Sequence, residues 1–253
     1  MKRFFLALSV LIGLTINTYA QTDSTDSLQD DNNNKSWQFD ATPYIWFAGL
    51  SSDIAFREQN VPFDAEFKDI LENLSFGFLM HAEARKGNLF LMGDLVYMKI
   101  KKDGKLKRLG TKTKLELAQT VIELGGGYTF YRSKSNNLQI DALGGLRHLS
   151  VDAKFTTGTQ ERLDKSTNTN DPFIGVRLRN VLNKWINSAR IDVGGFGIGT
   201  DFSWKSNLFL GYKFSELFTT YLGVQAYGIN YEEENYAIDL VSSGLVTGLN
   251  FNF

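Results

Sequence analysis

Ten ionisable residues, His81, Glu83, Arg85, Asp94, Glu123, Asp141, Arg147, Arg177, Arg190 and Asp192, recur in segments that alternate with apolar residues, and Arg179 follows Arg177 at the same parity. Carboxylates and guanidiniums enclosed together can neutralise one another through charge-assisted hydrogen bonds, or they can line a selective path for ions and protons. Mutual neutralisation is favoured, because a buried charge is costly unless it is paired. His148 and Ser150 form a second constellation. Two residues apart, they share one face of a strand, where an imidazole can activate a hydroxyl for attack on an acyl ester. Neighbouring positions offer no clear acid to orient that imidazole, and the competing reading is a histidine at a membrane interface beside an unrelated hydroxyl. His81 and His148 fall on opposite parities and the chain has no cysteine, which makes a poor metal ligand set. Neither a metal nor a cofactor is expected. A third candidate is the run "KIKKDGKLKRLGTKTK", Lys99 to Lys114, in which Lys101, Lys102, Lys105, Lys107 and Arg108 crowd around a single acid, Asp103. Such a ribbon suits lipopolysaccharide phosphates.

Period-two strands must hold these groups. In "SFGFLMHAEARKG", Phe76, Phe78, Met80, Ala82 and Ala84 take one face while His81, Glu83 and Arg85 take the other. The rhythm recurs from Trp37, across 89–102, 114–131, 138–155, 172–180, 185–199, 204–214 and 218–231, and from about Tyr236 to Phe253. The expected fold is an all-β, transmembrane, antiparallel up-and-down barrel of about ten strands, with eight or twelve as alternatives. Short connections, "KG", "RSKSNN", "VLNK" and "SEL", alternate on balance with longer ones, 51–74 and 156–171, as periplasmic turns alternate with extracellular loops. Asp103-Gly104 reads as a tight hairpin tip, and "FKDILENL" as a short amphipathic helix over the barrel mouth. Pro43 lies within the first strand, where its missing donor predicts a bulge, whereas Pro172 reads as the start of its strand. A soluble β-sandwich would also alternate, but its polar face should be uniformly solvated.

Both ends of the chain agree with this reading. Met1-Lys2-Arg3, the apolar run from Phe4 to Ile16 and the small-residue site at Thr18-Tyr19-Ala20 have the layout of a cleaved signal peptide over 1–20. Residues 21–36, "QTDSTDSLQDDNNNKS", lack apolar periodicity and are expected to be disordered. The barrel then occupies 37–253. With 27 Lys and Arg against 28 Asp and Glu, the chain has no excess charge to attract nucleic acid. Glycine at 23, proline at 3 and abundant aromatics favour strands and girdles over helices. The closing "GLNFNF" should place Leu249, Phe251 and Phe253 toward lipid and pair with the strand that begins at Trp37.

"WQFDATPYIWFAGL", "DILENLSFGFLMHAEARKG" and "GGLRHLSVDAKF" together resemble an uncharacterised group of Gram-negative outer-membrane barrels, loosely OmpA/OmpW-like. That resemblance implies location in the outer membrane and little about activity. At His148 this chain departs from the aromatic that the group tends to place after Gly-x-Arg. The His148/Ser150 pair is similar to the arrangement in outer-membrane lipid A deacylases, which gives the enzymatic alternative, an outer-leaflet acyl hydrolase. Phe251 and Phe253 resemble the terminal signal read by the outer-membrane assembly machinery. The expected function is thus structural or small-solute transport, with a charged interior. The expected partners are outer-membrane lipids, lipopolysaccharide and, during biogenesis, the assembly machinery.

Overall fold

The computed structural model describes residues 36–253 apart from 57–58, 66, 73, 106–111, 134–136, 158–159 and 234–235. The signal-peptide and lead-in readings lie outside the described residues, as do Lys107 and Arg108. Eleven strands run in chain order: β1 (Gln38–Phe56), β2 (Gln59–Ala65), β3 (Leu74–Lys86), β4 (Leu89–Lys105), β5 (Lys112–Ser133), β6 (Leu138–Thr157), β7 (Gln160–Leu182), β8 (Trp185–Gly195), β9 (Phe202–Lys213), β10 (Phe218–Glu233) and β11 (Tyr236–Asn252). A one-and-a-half-turn helix, α1 (Phe67–Glu72), stands between β2 and β3 where "FKDILENL" predicts one, with Lys68 and Glu72 paired along it.

All pairings are antiparallel, β3 to β11 bond in sequence order, β1 bonds to both β2 and β3, and β11 returns to β1. The wall has ten staves, because β2 and β3 share one flank of β1. β3 pairs with Gln38–Pro43 and β2 with Leu50–Phe56. Closure runs from Asp40↔Asn252 to Phe56↔Tyr236, and the ends are tied by Phe253 N–H donating to the Phe39 carbonyl at 2.8 Å. A closed cylinder leaves no unpaired edge, which is the condition for strands in lipid.

The outer surface is apolar. Ile45, Phe47, Leu91, Leu124, Leu146, Ile174, Leu222 and Leu245 all lie exposed on it. Aromatics gather toward the end where the short turns lie: Trp37 stacks on Phe39, Tyr212 contacts both Trp185 and Phe214 at 4.9 Å, and Phe218 meets Phe251 at 5.3 Å. Toward the opposite end Phe76 packs on Tyr97. Two aromatic levels around an apolar band are what an interfacial girdle requires.

Four sequence expectations need correction. The segments read as long loops, 51–74 and 156–171, are largely strand, because β1 with β2 and β6 with β7 continue as ribbons. Asp103-Gly104 is not a tip, since Asp103↔Lys114 and Gly104↔Thr113 are still in register; pairing carries the ribbon past the turn-prone dipeptide. Pro172 lies inside β7, opposite Leu146 of β6, and is tolerated because pairing with β8 begins only at Phe173. Pro43 causes no register shift. The β1–β11 ladder skips Thr42 and Pro43 and resumes unchanged at Tyr44↔Gly248, so a gap absorbs the missing donor.

Candidate functional site

The strand register places the inward charges beside their opposites. Asp94, Glu123, Arg147 and Asp171 lie directly opposite one another across β4, β5, β6 and β7. Six residues along the strands toward the short turns, Asp141, Arg177, Arg190, Asn207 and Gln225 form a second row across β6 to β10. Cross-strand neighbours of opposite charge attract, and the like pairs Asp94/Glu123 and Arg177/Arg190 need counter-charges from elsewhere in the lumen.

Two knots supply them. In the knot nearer the short turns, Arg177 donates to Glu83 at 2.5 Å and through Nε to Asp141 at 2.9 Å. Arg85 donates through Nη2 to the same Glu83 at 2.9 Å and through Nη1 to Thr129 at 3.1 Å. Thr129 and Gln139 donate to the remaining Asp141 oxygen at 2.7 and 2.8 Å. Both guanidiniums lie over the Phe90 ring, Arg85 at 4.8 Å and Arg177 at 4.4 Å from its centre. Cations over an aromatic face gain where water is excluded.

In the other knot, Arg147 donates to Glu123 at 2.8 Å and to Asp192 at 2.6 Å, and its side chain is 0% exposed. Arg190 bridges the same two acids at 3.1 and 2.8 Å, and Lys205 adds a third cation to Glu123 at 3.0 Å. Phe173 lies beneath Arg147 and Arg190, and Tyr227 also faces Arg147 at 5.0 Å. Glu83 to Arg177 and Glu123 to Lys205 connect strands four staves apart, so both knots cross the lumen and do not merely line it.

Room for these side chains comes from glycines on the inner face. A Cβ on Gly127 would stand 2.4 Å from Phe90 Cζ and 2.2 Å from the Ala142 carbonyl oxygen. The bare backbone lets Phe90 lie across the lumen.

His81 and Asp94 form a smaller polar group, Nδ1 to Oδ2 at 3.2 Å, and Tyr44 donates to the other Asp94 oxygen at 2.8 Å. Asp171, one residue before Pro172, accepts from the Thr200 backbone N–H and hydroxyl at 2.8 and 2.7 Å. Sequence reasoning leaves Lys205, Thr129, Gln139, Tyr44 and Asp171 out of the site, although all five share the inward parity of the charged set. It also misses an apolar layer inside the barrel, where Trp46, Ala48, Leu149, Tyr227, Ile229 and Val246 pack together with Val121 and Val151 around them. Beneath that layer lies a cavity of about 130 Å³, bordered by Tyr44 and Val246 above, by Phe209 at the level of Arg179, and by Asp40, Arg179 and Asn250 toward the short turns.

His148 and Ser150 share the outer face of β6. The His148 ring bonds through Nδ1 to the Asn170 side-chain oxygen at 2.9 Å, so an amide, not a carboxylate, holds the imidazole. Among the described residues, no group of three or more His, Asp or Glu side chains could hold a metal ion. Lys99, Lys101 and Lys114 project outward on the β4–β5 ribbon just past the Phe76–Tyr97 pair. Glu116 accepts from Lys114 at 2.6 Å and lies 3.7 Å from Lys99, and this lysine hydrogen bond holds its carboxyl below the usual range. Of the sequence-predicted basic set, Lys102 and Lys105 belong to β4.

Comparison with solved structures decides the architecture. The chain is similar to outer membrane protease OmpT from Escherichia coli, with TM-score 0.55 and 8% identity over 91% of this chain and 100% of that one. The fold is a ten-stranded outer-membrane-type barrel. Weaker similarities include the translocator domain of autotransporter NalP from Neisseria meningitidis, TM-score 0.46 and 11% identity over 100% of this chain and 95% of that one. Ail, the attachment invasion locus protein of Yersinia pestis, gives TM-score 0.37 and 10% identity over 86% and 98%. No family model and no curated protein sequence matches the chain. At such identities the barrel similarity establishes architecture alone.

Proposed function

We propose that this protein is an integral barrel of the Gram-negative outer membrane, exported through a cleaved signal peptide, with a mainly structural role and a lumen closed to free diffusion in the resting state. The observation that carries this reading is the pair of cross-lumen connections, Glu83 to Arg177 and Glu123 to Lys205, beneath the apolar layer around Trp46 and Tyr227. An open aqueous pore needs a continuous polar path. Here paired charges fill the middle of the barrel and apolar side chains seal one end. The short turns and both chain ends then face the periplasm, and the ribbons face outward.

In this orientation Lys99, Lys101 and Lys114 lie just outside the upper aromatic level, at headgroup height, where they support contact with lipopolysaccharide phosphates. Phe251 and Phe253, on the strand that closes the cylinder, serve as the recognition end for the assembly machinery. Proteoliposome swelling tests the central point. Vesicles carrying the refolded protein should not swell in iso-osmotic arabinose faster than empty vesicles, and porin-like swelling would overturn the closed-lumen reading.

A further inference from the structure

Most lumenal charges are consumed by one another, but Arg179 and Asp40 are not. Arg177, two residues away on β7, is bound on both sides by Glu83 and Asp141, whereas the Arg179 guanidinium has a single loose approach to Glu83 at 3.8 Å and remains 29% exposed. Asp40, on β1, lies opposite Glu83 and accepts a hydrogen bond from Asn250 at 3.0 Å; Arg179 and His81 act on it only from beyond ion-pair distance. Both line the same cavity of about 130 Å³. That cavity is capped by Tyr44 and Val246, which belong with the apolar layer, and Phe209 lies in register with Arg179 at its side; Asp40 and Arg179 lie toward the short-turn end, three strand positions from Trp37 and four from Asn183. The apolar layer thus stands over one side of the cavity, and Asp40 and Arg179 stand on its short-turn side.

We infer that this vestibule is a binding site, entered from the short-turn side, for a small zwitterion of amino-acid size, with Arg179 taking its carboxylate and Asp40 its ammonium. A planar guanidinium matches a carboxylate with two parallel hydrogen bonds, and an ionised carboxylate is the natural partner of an ammonium. Amides of Asn207, Gln225 and Asn250 supply neutral donors and acceptors between the two charges. The volume holds several waters or one solute of this size, which excludes an oligosaccharide. A singly charged anion would leave Asp40 uncompensated beside it, and a simple cation would do the same to Arg179. This site rests on the closed-lumen reading, which makes the vestibule a dead end and not a stage in a conducting path.

The test is equilibrium dialysis of the refolded full-length barrel against radiolabelled L-alanine, with acetate, ethylamine and xylitol as competitors. Saturable binding is expected, displaced by unlabelled alanine far better than by either half-molecule or by the neutral polyol. Arg179→Gln and Asp40→Asn should each weaken it at least about tenfold, while Asp152→Asn, on the exposed outer part of β6, leaves it unchanged. Absence of saturable uptake, or displacement by acetate alone as effective as by alanine, would overturn the assignment. The competition series uses only wild-type protein, so it decides the matter even where a variant fails to fold. Conductance measured on the same preparation separates the two readings: ohmic channels defeat the closed lumen, and lost binding in a non-conducting barrel defeats only the site.

Discussion

Lys205 of β9 places its ammonium 3.0 Å from Glu123 of β5, four staves away around the wall. Because Arg147 and Arg190 converge on the same carboxylate, Glu123 is the hub of the middle knot. Glu123→Gln would leave three buried cations facing Asp192 with one full anionic charge fewer. The expected cost is about 3–5 kcal/mol, as for other broken buried pairs. It would be read as a fall in the urea midpoint of the barrel refolded in lipid vesicles, and an unchanged midpoint would mean that the knot contributes little.

The space occupied by Phe90 depends on Gly127. Gly127→Ala should destabilise by about 1–3 kcal/mol through overpacking. Truncating Phe90 as well should not restore stability, because the added methyl also meets the Ala142 carbonyl. Gly93→Ala, whose new Cβ would meet Leu124 at an ordinary 3.6 Å, should be neutral. Heat-modifiability on gels ranks the three variants, and equal behaviour of Gly127→Ala and Gly93→Ala would contradict the packing argument.

Phe253 is 76% exposed yet bonded through its backbone to Phe39. Its deletion removes the last hydrogen bonds of the closing ladder and the terminal aromatic together. Surface levels of the truncated chain should fall well below those of a chain lacking the β4–β5 ribbon tip. Normal surface levels would remove the assembly role.

Glu116 moderates the outer lysines. Its carboxyl, held below the ordinary value by the Lys114 hydrogen bond, stays ionised at neutral pH, and its pairing contribution is lost only as pH falls through that lowered value. Glu116→Gln should therefore strengthen retention on lipopolysaccharide-containing vesicles at neutral pH, and the gain should disappear at high salt. Unchanged retention at low salt would show that this face does not touch the headgroups.

Much of the architecture could be read from alternation alone. The parity of Glu83 and Arg85 against Phe76 and Phe78, or of Asn250 against Leu249, follows directly from the pleat. Two features escaped for physical reasons. Trp46 and Tyr227 share the inward parity of Tyr44 and Gln225, but parity does not tell whether inward aromatics gather into a closed apolar layer, which only packing across the barrel shows. The outer ribbons escaped because both of their faces leave the apolar band, so the contrast that marks a strand fades. Asp171 is hidden with them, because Pro172 reads as the start of a strand that begins at Gln160.

Planar-bilayer conductance tests the closed lumen most directly. Wild-type protein, shown to be folded by circular dichroism, should give no steady open-channel current in symmetrical salt. A stable ohmic conductance from the wild-type barrel would contradict the account, because the Glu83–Arg177 and Glu123–Lys205 connections could not then span its lumen.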